Sequence, residues 1–81
     1  MTHRIEPGQT YRACNGSGLR IRVVRRGPGF PAWGWSKTTV ETVLPTGEGT
    51  RQRAIETTQL HATPTTRDGQ PRRTGYALEQ Q

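Results

Sequence analysis

The stretch Leu19-Arg20-Ile21-Arg22-Val23 alternates strictly between apolar and basic residues. A period of two is typical of a β-strand that buries one face, whereas helical spacing would scatter these apolar side chains around the cylinder. The pattern therefore predicts a strand in which Leu19, Ile21 and Val23 point into the core. Arg20 and Arg22 are then expected to point to solvent.

Turn signals divide the rest of the chain into similar short segments. Glycine- and proline-rich stretches at residues 15–18, 27–31 and 45–49 interrupt any regular structure. The segments between them are rich in threonine, valine and isoleucine, which favours strands. We expect four further strands, at residues 9–14, 33–44, 50–56 and 74–79, and a single helical turn at residues 57–61.

The chain has 81 residues, and only 28% of them are hydrophobic, so we expect one small domain spanning residues 1–81. Residues 1–8 form a lead-in, and residues 62–73 form a polar loop or hairpin around Asp68-Gly69. Low hydrophobicity with a net charge of +6 is also compatible with disorder, but the alternating strand argues against it. The candidate core residues are Ile5, Tyr11, Leu19, Ile21, Val23, Val40, Val43, Leu44, Ile55, Leu60, Tyr76 and Leu78.

The order of these elements resembles that of the SH3-like barrels. The features that carry the resemblance are Pro7-Gly8-Gln9-Thr10-Tyr11, the alternating strand, the turn at 45–49 and the step from Ile55 to Leu60. The resemblance implies an all-β fold, namely a small five-stranded SH3-like barrel with one short helical turn before the last strand. The chain lacks the early acidic residues with which SH3 domains hold proline-rich ligands, so the resemblance extends to architecture alone.

The chain is also similar to short basic proteins of actinobacteria and their phages. The matching residues are Tyr11-Arg12, Leu60-His61 and Arg72-Arg73-Thr74-Gly75-Tyr76. No activity is assigned to those proteins, so this similarity implies no function.

Basic residues outnumber acidic residues by twelve to six, which is typical of a nucleic-acid-binding protein. A row of arginines on a rigid sheet can neutralise successive phosphates of DNA or RNA with weak sequence preference. Two tryptophans of the loop at 30–35 could provide stacking surfaces for unpaired bases. The candidate nucleic-acid-binding residues are Arg20, Arg22, Arg25, Arg26, Trp33, Trp35, Arg51, Arg53, Arg72 and Arg73.

Each of these features has an alternative interpretation. The arginines can form an ordinary solvated face, and one tryptophan can cap a barrel. Residues 65–73, which as a basic finger would lie along a phosphate backbone, can instead form a solvated hairpin. A protein-interaction or assembly module, for example of a phage or mobile-element complex, would use exposed edge strands and rings instead. A third hypothesis is an accessory protein whose arginine content follows genome composition.

The residues that carry most enzyme chemistry are few and scattered. His3, His61 and Cys14 match no zinc-binding spacing, and no third residue would orient Cys14 and His61 as a nucleophile and its base. The six acids form no evident pair, and no glycine-rich turn leads into a helix as a phosphate loop would. We expect a binding protein that is not an enzyme and has no metal and no cofactor.

The sequence also favours a soluble, cytoplasmic protein with no membrane partner. Cys14 is the single cysteine, so no intramolecular disulfide can form. No secretory leader follows Met1, and the longest apolar run is far shorter than the roughly 20 residues of a transmembrane helix.

Overall fold

Short β-strands are the main regular structure of the computed structural model, which describes residues 4–27 and 37–79. Apart from one 3₁₀ turn at Thr57–Gln59, the described residues contain no helix, so the expected all-β class is confirmed. The strands are β1 (Thr10–Ala13), β2 (Arg20–Arg26), β3 (Lys37–Val43), β4 (Gly49–Glu56), β5 (Leu60–His61) and β6 (Tyr76–Leu78).

The described strands form one six-stranded sheet in the order β4-β3-β2-β1-β6-β5. Neighbouring strands are antiparallel except β5 and β6, which are parallel. The consecutive strands β1 to β4 therefore make an antiparallel meander, and the C-terminal strand β6 returns to the free edge of β1. This arrangement places the C-terminal end of the described chain next to β1, where the N–H of Glu79 donates to the carbonyl of Thr10.

The core lies on one face of this sheet and is centred on Tyr11, which is fully buried. Tyr11 lies opposite Ile21 of β2 on one side and opposite Leu78 of β6 on the other. The buried apolar cluster consists of Tyr11, Ile21, Val23, Val40 and Leu60, and Ile5, Ile55, Tyr76 and Leu78 pack against it partly buried.

The alternating stretch forms a strand as expected, but two leucines predicted for the core, Leu19 of this stretch and Leu44 after β3, are exposed. Ile21 and Val23 are buried, but Leu19 is 37% exposed and Leu44 is 39% exposed. Leu19 precedes the first residue of β2 and Leu44 follows the last residue of β3. Because both leucines lie just beyond the ends of their strands, the other described residues cover them only in part, and the prediction that they belong to the core is wrong.

The expected five strands become six because the segment at 57–61 divides. The 3₁₀ turn ends at Gln59, and Leu60–His61 then forms β5 along the outer edge of β6. β5 thus occupies the edge of β6 that would have to pair with β4 to close a barrel. Among the described residues β4 and β5 remain the two edges of an open sheet.

The remaining predicted elements are found with shifted ends. The third strand is described from Lys37 onward, and the other part of its predicted range, with Trp33 and Trp35, lies outside the described residues. The 62–73 segment contains a small hairpin, in which Thr65 forms an antiparallel bridge with Pro71. No described segment forms a helix long and apolar enough to cross a membrane.

Gly75 allows β5 and β6 to approach each other closely. Its φ is 76°, a left-handed conformation that side chains disfavour. A Cβ atom at this position would lie 2.7 Å from the carbonyl oxygen of Gln59 and 2.8 Å from Nε2 of His61. The parallel pairing of the two C-terminal strands therefore requires glycine here for two separate reasons.

We predict that Gly75→Ala lowers the free energy of unfolding more than Gly16→Ala does, as measured by urea denaturation. Gly16 has a similar φ of 83°, but a Cβ there would meet nothing within 4 Å. The Gly16 variant should lose about 1–2 kcal/mol from backbone strain alone. The Gly75 variant should lose at least about 1 kcal/mol more from the steric overlap. Equal losses would contradict this account of Gly75.

Burial of Tyr11 makes the stability of the fold sensitive to alkaline pH. Desolvation by burial raises the pKa of the Tyr11 phenol from 10.0 to about 12, and the hydroxyl donates a 3.0 Å hydrogen bond to Oε1 of Gln9. The unfolded chain releases the phenol proton near pH 10, whereas the folded chain retains it to about pH 12. The free energy of unfolding should therefore fall as the pH rises from 10 to 12.

We expect this loss to be on the order of 2 kcal/mol across that interval. The measurement is urea denaturation at successive pH values, with Tyr11→Phe as the control. The variant cannot ionise at this position, so its stability should decline less steeply with pH, whatever its stability at neutral pH. Parallel pH profiles for the two proteins would count against the proposed cause.

Candidate nucleic-acid interface

The arginines of the alternating strand lie on the face of the sheet opposite the core, here called the outer face, and they are paired with carboxylates. Glu79 contacts both Arg20, at 2.8 Å, and Arg12, at 3.4 Å. Glu41 contacts Arg22 at 2.8 Å. The outer face therefore carries acids as well as bases, and it is less positive than the strand sequence suggests.

The strand register explains these ion pairs. Arg12 lies directly opposite Arg20, so two like charges face each other across β1 and β2. The backbone N–H of Glu79 donates to the carbonyl of Thr10, which holds the Glu79 carboxylate beside both arginines. Arg22 likewise lies opposite Glu41. A phosphate that binds these arginines would have to compete with carboxylates already in place.

Arg25 and Arg26 end β2 and are exposed, and neither has a carboxylate partner among the described residues. They lie opposite Thr39 and Thr38, after a register shift between Val23 and Arg25. Both threonines are buried. The hydroxyl of Thr39 donates to the carbonyl of Gly27 at 2.8 Å, and that of Thr38 forms a 2.9 Å hydrogen bond with Thr57. These hydrogen bonds anchor the part of β3 that pairs with the two arginines.

On β4, Arg51 and Arg53 are brought together by an irregularity in the strand. The pairing with β3 shifts register between Val40 and Thr42, and Arg51 adopts a φ of 56°. Nη1 of Arg53 donates to the carbonyl oxygen of Arg51 at 3.2 Å and to the hydroxyl of Thr42 at 2.9 Å. The Arg53 side chain thus stabilises the unusual backbone of Arg51.

The remaining candidates lie in the 62–73 segment, here called the late hairpin. Nε of Arg72 donates to the carbonyl oxygen of Thr65 at 3.1 Å, which ties its side chain to the loop. Arg73 and Arg67 are exposed, without a carboxylate partner in the described chain. The structure therefore divides the arginines that have no carboxylate partner into three groups, at the end of β2, on β4 and in the late hairpin.

Two features of this surface were not expected from the sequence. The first is the bridging role of Glu79, together with its partner Arg12, and the second is a cleft beside Arg51 and Arg53 that includes Leu19, Thr42 and Leu44. Glu79 is distant in sequence from both arginines, so only the pairing of β6 with β1 reveals the contact. The exposure of the leucines could have been suspected from their positions next to turns.

Within the described residues, no three histidine, cysteine or acidic side chains are grouped as a metal site. Cys14 is a free, half-buried thiol, and its backbone N–H donates to the carbonyl of Gly75. No protein family model, curated protein or solved structure matches the chain.

We predict that Arg51→Gly raises the free energy of unfolding by about 0.5–1 kcal/mol. A non-glycine residue with a φ of 56° carries a strain of roughly 1–2 kcal/mol that glycine relieves, offset in part by the greater entropy of the unfolded glycine chain. The measurement is urea denaturation. The matched control is Gln52→Gly, because Gln52 has no positive φ and glycine there should destabilise. Destabilisation by both substitutions would contradict the strain at Arg51.

Proposed function

We propose that this protein is a non-catalytic, cytoplasmic nucleic-acid-binding module with weak sequence preference. The observation that carries the proposal is the imbalance of unpaired charge. Among the described residues seven arginines have no carboxylate partner, whereas only two acids, Glu48 and Asp68, have no basic partner. The surplus is therefore arginine, whose planar fork suits phosphate oxygens.

The proposed mechanism is the neutralisation of backbone phosphates with release of condensed counterions. The strongest candidates are those with no internal carboxylate to displace, namely Arg25, Arg26, Arg51, Arg53, Arg72 and Arg73. Arg20 and Arg22 contribute only where a phosphate replaces Glu79 or Glu41. Stacking of unpaired bases on Trp33 or Trp35 completes the proposal.

We also propose that the fold is a distant variant of the SH3-like barrel. The antiparallel meander from β1 to β4, the 3₁₀ turn at Thr57–Gln59 and the return of β6 to the edge of β1 support this relationship. The additional strand β5 and the open sheet are the differences.

The first test is binding of labelled single-stranded DNA, single-stranded RNA and duplex DNA, followed by fluorescence anisotropy at several salt concentrations. We expect an affinity in the 10⁻⁴–10⁻⁶ M range typical of non-specific binding, falling steeply with salt. For the double variant Arg25→Gln/Arg26→Gln, the log–log salt slope should become shallower by about 1.4 on single strands and about 1.8 on duplex DNA.

The matched control is Arg4→Gln/Arg12→Gln, which removes the same charge from arginines that contact Glu6 and Glu79. Its salt slope should remain close to that of the unmodified protein. Equal changes of the salt slope in the two double variants would indicate that binding depends on net charge and not on the position of the arginines. Binding weaker than about 10⁻⁴ M to all three nucleic acids at low salt would reject the proposed function.

A further inference from the structure

An apolar cleft with a cationic wall lies at the end of the sheet where β2 begins and β3 ends. We call it the leucine cleft. It has a volume of about 450 Å³ and is lined by Leu19, Thr42, Leu44, Thr50, Arg51 and Arg53. An adjoining hollow of about 630 Å³ shares Leu19, Thr42 and Leu44 and extends to Val43 and Pro45. The two largest exposed apolar side chains of the described molecule thus lie side by side in one concave surface.

Arg53 is held in a fixed position in the wall of this cleft. Its Nη1 group makes the two hydrogen bonds to Thr42 and Arg51 described above, while its Nε and Nη2 groups have no hydrogen-bond partner in the described chain. A guanidinium that is already oriented loses little side-chain entropy when it binds an anion. No aspartate or glutamate is among the described residues that line the cleft, so the positive charge of Arg51 and Arg53 is not neutralised locally.

We propose that the leucine cleft binds an acidic peptide segment of a partner protein, in which a carboxylate is adjacent to a large aliphatic side chain. The aliphatic side chain would cover Leu19 and Leu44, and the carboxylate would accept hydrogen bonds from the free edge of the Arg53 guanidinium. The described lining contains aliphatic side chains and no aromatic ring, which suits an aliphatic residue better than a stacked base.

This proposal is independent of nucleic-acid binding at the end of β2. Arg25 and Arg26 lie at the opposite end of that strand from the leucine cleft. A site for one side chain and one carboxylate is small, so the expected dissociation constant is on the order of 0.1–1 mM. An affinity this weak is typical of a contact that acts together with a second contact between the same two proteins.

The test is a titration of the ¹⁵N-labelled protein with capped tetrapeptides, followed by amide chemical shifts. The probe is Ac-Leu-Glu-Leu-Glu-NH₂, and the two control peptides replace its leucines by alanine or its glutamates by glutamine. We expect the probe to shift the amides of Leu19, Leu44 and Thr50, and both control peptides to bind at least about fivefold more weakly. A short oligothymidylate is titrated in parallel.

Three protein variants locate the site. Leu44→Ala should weaken binding of the probe peptide by about fivefold and Arg53→Gln by about tenfold. Arg67→Gln removes the same charge from the exposed late hairpin and should leave the affinity unchanged. Leu44 is already exposed in the folded protein, so its variant tests the cleft even if the loss of the Arg53 hydrogen bonds disturbs β4.

Each contrary result overturns the proposal. These results are the absence of shifts at about 5 mM peptide, shifts centred outside the leucine cleft, and equal binding of the glutamine peptide. An oligothymidylate that shifts the same amides at lower concentration than the peptide would assign the cleft to nucleic acid instead. Unchanged affinity in both Leu44→Ala and Arg53→Gln would place the peptide elsewhere.

Discussion

The fold depends on the burial of Tyr11 at the centre of the sheet. This residue lies between Ile21 of β2 and Leu78 of β6, so it joins the N-terminal meander to the C-terminal strand. A domain of this size buries only about 60% of the surface of its unfolded chain, and few apolar side chains are present to form a core. One aromatic ring that contacts both halves therefore contributes a large share of the apolar burial, and its hydroxyl is accommodated by the hydrogen bond to Gln9.

The position of β6 beside β1 also determines where positive charge remains available. It brings Glu79 to the outer face, where one carboxylate contacts two arginines that would otherwise repel each other. Exposed ion pairs of this kind contribute little to stability. Their larger effect is on surface charge, because Glu79 and Glu41 neutralise arginines of the outer face. Arginines without carboxylate partners remain in three places, namely at the end of β2, on β4 and in the late hairpin.

Local sequence patterns predicted the elements well because strands and turns depend on neighbouring residues. The alternation at 19–23 predicted the buried Ile21 and Val23, and the turn at 45–49 predicted the hairpin between β3 and β4. The errors concern contacts between distant residues. The exposure of Leu19 depends on where the sheet ends, and β5 depends on the approach that Gly75 allows. The Glu79 bridge depends on strand order. Neither the pairing of β5 nor the Glu79 bridge is encoded in a short window of sequence, whereas the turn beside Leu19 does hint at its exposure.

The irregular backbone at Arg51 connects the edge of the sheet to its surface chemistry. β4 is an edge strand, and a bulge there disrupts the row of backbone groups that another chain could pair with. Glycine would meet this need without strain, yet the position carries an arginine with a φ of 56°. Backbone strain of this kind is typical of positions that serve a function, because a small domain has little stability to spare. Arg51 lies in the wall of the leucine cleft, and its carbonyl accepts a hydrogen bond from Arg53, so the irregular backbone of β4 shapes the site proposed to bind the peptide.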